Sequence, residues 1–217
     1  MRLARRALTA LLLLSCLAVI IRVSPLWPMI QGITVGSADA SKPVSLPDMA
    51  LGAADAPVMI VEYAAPTCPH CAAFDREVFP RIKPEYIDTG KVRYVLREFP
   101  LNIKDVACQM LARRIAAGDG SKYVAVIETM WREQNRLLEN TTDILHQIGK
   151  QAGLSAEAVE DCLRDQALLD EINADRRFAT EQLKVQGTPT FFINGESIVG
   201  EAPFEEFESK IKPLLKS

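Results

Sequence analysis

Histidine is scarce in this 217-residue chain, with His70 and His146 the only two. A zinc site that starts from two cysteines needs further ligands. Cys108 and Cys162 are isolated in sequence, so Cys68-Pro69-His70-Cys71 has little with which to complete a metal centre. Haem attachment is excluded too, because Ala72 rather than histidine follows Cys71. Basic charge is also in short supply. Setting aside residues 1–40, which hold four Arg and one Asp, leaves 21 basic residues against 27 acidic ones, a net charge of −6. Such a body does not suit a nucleic-acid partner. Internal repeats and low-complexity tracts are absent. The longest apolar run, residues 7–21, has 15 residues, fewer than the roughly 20 that a membrane-spanning helix takes.

That run follows Met1-Arg2-Leu3-Ala4-Arg5-Arg6, and a basic start before a short apolar stretch is the layout of an export signal. Residues 1–21 are therefore read as a signal, either cleaved or retained as an N-terminal anchor. Ala38-Asp39-Ala40 fits a processing site, although it lies far downstream. Leu13-Leu14-Ser15-Cys16 is similar to a lipoprotein box, yet apolar residues follow where a polar tether belongs, so Cys16 is assigned to the signal. Pro25, Pro28, Pro43 and Pro47 mark residues 22–55 as linker and lead-in. One globular domain, 56–217, follows. Export implies a periplasmic or other extracytoplasmic compartment in which disulfides persist.

Within that domain, Pro57-Val58-Met59-Ile60-Val61-Glu62-Tyr63 has the apolar, β-branched character of a buried central strand. Residues 68–79 can start a helix, and Lys91-Val92-Arg93-Tyr94-Val95-Leu96-Arg97-Glu98 alternates apolar with charged residues as a second strand. Strand, helix and strand make a βαβ unit. From about 104 to 183 the pattern is helical, broken at Gly118-Asp119-Gly120, Asn140-Thr141-Thr142 and Gly153-Leu154-Ser155. Asn140-Thr141-Thr142 also matches a glycosylation acceptor and is read as a helix cap. Residues 190–193 and 196–199 around Asn194-Gly195 predict a hairpin, and Pro203 opens a last helix.

The chemistry lies at Cys68 and Cys71. Two cysteines with two residues between them can close a small disulfide, and a helix N-terminus favours the thiolate of the first. Cys68 is accordingly the attacking sulfur and Cys71, one turn further in, the resolving one. Pro69 costs nothing where an amide lacks an intrahelical partner. The His70 imidazole can donate to the thiolate or add positive charge beside it, which favours the reduced form and makes the disulfide a stronger oxidant. Glu62, six residues before Cys68, is a carboxylate in an apolar strand, costly to bury unpaired.

Cys68-Pro69-His70-Cys71, Gly187-Thr188-Pro189-Thr190 and Arg97-Glu98-Phe99-Pro100-Leu101 together resemble the DsbA family of thiol-disulfide oxidoreductases over about residues 55–215. The resemblance implies an α/β, thioredoxin-like fold with an all-helical insertion. It further implies a cis-Pro189 packed against the active disulfide, a Thr188 backbone that pairs with extended substrate, and a Glu62 that assists proton movement at Cys71. The alternatives are a trans-proline that starts an edge strand and a carboxylate at a strand edge. Some relatives carry a second disulfide, and Cys108 and Cys162 look like that variant; otherwise they are two buried thiols. Met110, Met130 and Trp131 suit a core better than a groove, and Arg113-Arg114 and Glu205-Glu206 read as solvated helix faces.

The implied activity needs no cofactor beyond the Cys68–Cys71 disulfide. Its partners would be exported client proteins with free thiols and a membrane reoxidant similar to DsbB. Disulfide donation is the leading function. Thr188 also suits an isomerase or reductase of the same fold, since the best-known oxidases have valine there, and a non-catalytic peptide-binding module is a further alternative. Oligomeric state is not specified by the sequence.

Overall fold

The computed structural model describes residue 40 and residues 45–216. The signal or anchor read in 1–21, with Cys16, lies outside the described residues. Five strands, β1 (Met49–Leu51), β2 (Val58–Ala64), β3 (Val92–Glu98), β4 (Thr190–Ile193) and β5 (Glu196–Val199), form one mixed sheet in the order β1-β3-β2-β4-β5. Strand β2 runs parallel to β3, pairing Val58 with Val92 and Glu62 with Leu96, and antiparallel to β4, where Glu62 faces Phe191. A strand flanked on both sides and covered on both faces favours apolar residues, which explains the composition of β2 apart from Glu62. The hairpin between β4 and β5 turns at Asn194 and Gly195, both at positive φ as a tight two-residue turn requires.

Helix α1 (Pro69–Glu77) starts directly after the Cys68 cap and is followed by the short helix α2 (Phe79–Ile82) and one π turn, Lys83–Ile87. Phe74 on α1 stacks with Phe191 on β4 at 4.5 Å between ring centres, fixing the helix against the sheet. The insertion consists of α3 (Ile103–Ala116), α4 (Gly120–Arg132), α5 (Gln134–Glu139), α6 (Thr141–Gln151), α7 (Ala156–Leu163) and α8 (Gln166–Glu181), and α9 (Phe204–Leu214) ends the chain. Side chains of Asn102, Asp119, Ser155 and Asp165 cap four of these helices. Asn140 precedes α6 but its side chain makes no capping bond, while the Thr141 hydroxyl donates to Leu137 O instead. At Gly120 a Cβ would lie 2.4 Å from the backbone nitrogen of Ala50, so glycine lets α4 sit directly on β1.

Four expectations are corrected. The linker does not extend to residue 55, because β1 pairs antiparallel with β3 and Leu46 and Met49 are buried. Arg97 grips Asp48 through two hydrogen bonds and Asp175 accepts from the Ser45 and Leu46 amides, holding this segment to the domain. Arg113 is not a solvated residue: it forms a buried bidentate pair with Glu98 and also donates to Pro47 O. Arg97 and Glu98 thus break the apolar–polar alternation of β3 because each finds a buried partner. Strand β4 is internal, with β5 at the edge.

The fourth correction concerns Cys108 and Cys162, which are free thiols in this structure. On α3, position 108 lies roughly 200° around the helix from 106 and from 110. Cys108 consequently packs into the main core, whereas Val106 and Met110 face Cys162, whose Sγ donates to Met110 O at 3.4 Å.

Candidate active site

The strand-to-helix junction places Cys68 as the cap of α1, with extended backbone (φ −79°, ψ 119°), so that its sulfur sits at the positive end of the helix although it makes no capping hydrogen bond there. Both Cys68 and Cys71 are thiols here and both are buried, Cys71 completely. The Cys68 Sγ donates to Thr188 O at 3.2 Å, and the Thr188–Pro189 bond is cis. Thr190 Oγ1 donates to Gly187 O, and Gly200 N donates to Pro189 O, fixing the loop that presents Thr188. The hydroxyl Oγ1 of Thr188 is buried.

Hydrogen bonding from the Cys71 thiol holds Cys68 down to a pKa of about 5; partial burial opposes this, and the Thr188 side chain and the Cys71 and His70 amides reinforce it. Burial drives Cys71 the other way, well above an ordinary thiol, aided by its bond to Cys68 and by the nearby Glu62 charge. Adjacent sulfurs with opposed acidities are what an attacking and a resolving thiol require. His70 contributes through its backbone. Its imidazole is exposed and lies 3.4 Å from the Glu201 carboxylate, so the expected bond from the ring to the thiolate is not made.

Glu62 is fully buried under this pair. Tyr94 donates its hydroxyl to Glu62 Oε2, and Oε1 has no protein partner among the described residues. Burial raises the Glu62 carboxyl to about 8, only partly offset by the Tyr94 bond. A carboxyl that gains and loses a proton near neutrality can exchange one with a buried thiol. Asp75, one turn after Cys71 on α1, is likewise raised by burial, to about 6.

Sequence reasoning passed over Tyr94, Asp105, Gln109 and Gln134. Asp105 is completely buried and accepts from Thr67 N at 2.7 Å, Thr67 Oγ1 at 3.0 Å and Leu101 N at 3.0 Å. Nothing in the spacing of Thr67 and Asp105 announces that contact. Met130 is core, as expected, and Trp131 packs with it while also donating its indole N–H to Ala65 O. Among the described residues no group of three or more His, Cys, Asp or Glu is gathered to hold a metal ion.

Residues 45–213 match the sequence profile of the thioredoxin family. A Rickettsia bellii protein provisionally named a protein-disulfide oxidoreductase is 36% identical over 68% of this chain and 57% of its own length. The chain thus spans little more than half of such curated relatives. A Bacillus cereus protein provisionally named disulfide bond formation protein D is 31% identical over 76% of this chain and 78% of its own. The crystal structure of Wolbachia pipientis alpha-DsbA1 superposes with a TM-score of 0.72 at 30% identity, covering 79% of this chain and 92% of that one. The extent of these matches, across both the sheet and the helical insertion, means that the chain belongs to the DsbA-like thiol-disulfide oxidoreductases of the thioredoxin fold.

Proposed function

We propose that this protein donates disulfides to newly exported proteins. The observation that carries the reading is the opposed acidity of the two sulfurs, Cys68 held low and Cys71 held high at a helix N-terminus. In the oxidised protein a client thiolate attacks Cys68 Sγ, forms a mixed disulfide and expels Cys71 as a thiolate. A second client thiolate then attacks the client sulfur of that bond and releases Cys68 as a thiolate. The client has lost two electrons and the Cys68–Cys71 pair has gained them. Glu62 supplies the proton that the buried Cys71 thiolate takes up, and Thr188 offers its backbone beside Pro189 to an extended client. Residues 1–21 direct the chain out of the cytoplasm, and a membrane reoxidant similar to DsbB removes the two electrons.

A stabilised Cys68 thiolate favours the dithiol and so an oxidising couple. Equilibration with glutathione buffers, with Cys108 and Cys162 replaced, tests this. A potential near roughly −120 mV, as in prototypical DsbA, is expected, whereas one near roughly −270 mV, as in thioredoxin, would defeat donation and favour a reductase. The residue before Pro189 favours a second reading, isomerisation, because Thr188 brings a buried hydroxyl to the sulfur where valine would bring none. Recovery of activity from a scrambled client without added oxidant would support it.

A further inference from the structure

The segment that delivers Cys68 leaves the sheet after Ala64, whose carbonyl still accepts from Phe99 N, and residues 65–68 pair with no strand. Side chains of the helical insertion bind them one after another. Gln109 Nε2 on α3 donates to Ala64 O at 3.1 Å, Trp131 Nε1 at the end of α4 to Ala65 O at 3.1 Å, and Asp105 accepts from Thr67 N. Gln134, at the start of α5, donates from Nε2 to Pro66 O at 2.9 Å and to Cys68 O at 3.0 Å.

Asp105 at Thr67 N and Gln134 at Pro66 O satisfy backbone groups that no other backbone group meets, a role that is structural in itself, whereas Ala64 O and Ala65 O also accept backbone bonds, from Phe99 N at 3.0 Å and Cys68 N at 3.1 Å. Gln134 likewise adds a second donor to Cys68 O, and this one lies beside the reacting sulfur. That carbonyl already accepts the first helical bond of α1, from Ala72 N at 3.3 Å, so its needs are met without Gln134. A second donor on it draws off carbonyl charge beside the sulfur and holds the Cys68 peptide in the orientation that aims the His70 and Cys71 amides at Sγ. The break between α4 and α5 at Glu133 is what turns Trp131 and Gln134 to the same loop.

We infer that Gln134 is a positioning residue for the disulfide exchange proposed above, acting through the carbonyls of Pro66 and Cys68 to keep the Cys68 thiolate stabilised. The inference rests on that proposed function. In this role the insertion tunes the reactivity of Cys68 as well as covering it.

Gln134→Met keeps the length of the side chain and removes the donor; Gln134→Glu removes the donor and, when ionised, adds negative charge. The test follows alkylation of Cys68 by iodoacetamide against pH in the reduced full-length protein, resolved by peptide mass, and the glutathione equilibrium of the pair. In Gln134→Met the Cys68 midpoint should rise by about one unit and the equilibrium should move about tenfold toward the disulfide. Gln134→Glu should move both further. Because Gln134 is only half-buried, both variants should fold, and thermal unfolding checks this. Lowered melting temperature with an unmoved midpoint and equilibrium in both variants would overturn the inference and leave Gln134 a structural residue. A wild-type Cys68 with an ordinary thiol midpoint would instead sink the proposed function.

Discussion

The thiol of Cys68 lies 3.2 Å from the carbonyl oxygen of Thr188, 120 residues further along the chain. The contact joins the βαβ half of the sheet to the hairpin half, and it seats the reacting sulfur against the backbone edge at which an extended peptide would bind. A thiolate beside a lone carbonyl would be repelled. The opposing donors, Cys71, the Thr188 side chain and the amides of α1, must therefore outweigh that oxygen, and the low pKa of Cys68 is their net effect.

The rate of Cys68 alkylation should accordingly rise through a midpoint near pH 5, with Cys71 unreactive below pH 9. The same shift governs stability. A folded value of about 5 against an ordinary 9 contributes nothing to the reduced form below pH 5, grows between pH 5 and 9, and levels off above that. The melting temperature of the reduced protein, minus that of the oxidised one, should climb across this window. A flat difference would show that the sulfur is not a stabilised thiolate.

Replacing Cys71 with Ala removes the resolving sulfur and should leave client proteins trapped on Cys68, visible as dithiothreitol-sensitive adducts on non-reducing gels. Replacing Cys68 should give none, since the remaining thiol is fully buried and little ionised. Adducts through Cys71 would reverse the assigned roles.

Glu62→Gln keeps an acceptor for Tyr94 and abolishes the buried charge. The carboxyl is raised from 4.5 to about 8, so the charged form is a liability that is absent below pH 4.5, grows up to pH 8 and is constant beyond. The substitution should thus stabilise the fold by about 3 kcal/mol at pH 7 and by little at pH 4. Disulfide closure should slow while Cys68 alkylation stays unchanged. Urea unfolding at the two pH values and stopped-flow oxidation test each part. Equal stabilisation at both would mean that the carboxyl is not raised above its ordinary value in the fold.

Arg113 and Glu98 pair at 2.6 and 2.9 Å inside the protein, with side-chain exposures of 7% and 1%. Arg113→Met leaves a buried carboxylate alone and should cost about 3–5 kcal/mol. The double change with Glu98→Leu should recover most of it, because a well-packed apolar pair has no charge to desolvate. Chemical denaturation of the three variants reads the outcome, and a double variant no better than the single would locate the loss in packing instead.

The site was legible wherever the chemistry is contiguous. Cys68 and Cys71 share one turn of α1, and Pro189 adjoins the apolar strand that seats it, so each motif carries its own meaning. The charged residues were harder. Arg113 next to Arg114 looks like a solvated face until Glu98 is brought under it by β3. His70 stands beside the thiolate in sequence but turns its ring outward to Glu201, because helix geometry sends position 70 toward solvent while the amide stays by the sulfur. Met49 and its neighbours, between prolines and glycines, look like linker until β3 provides their hydrogen-bonding edge.

Local order in the chain determined the strands of the βαβ unit, the hairpin turn, the breaks between helices and the cysteine pair, since these depend on periodicity, turn residues and spacings of a few positions. Tertiary structure alone decided what surrounds Cys68. Thr188, Asp105, Trp131 and Gln134 come from distant elements; the first meets Cys68 only when the hairpin joins the sheet, and the other three only when the insertion has closed over it. The same holds for Cys108 and Cys162. Their presence is written in the sequence, but whether they meet depends on the rotation of α3, which turns one toward the main core and leaves the other against α3's opposite side. Directional contacts among distant side chains carry no sequence period, so only the packed fold specifies them.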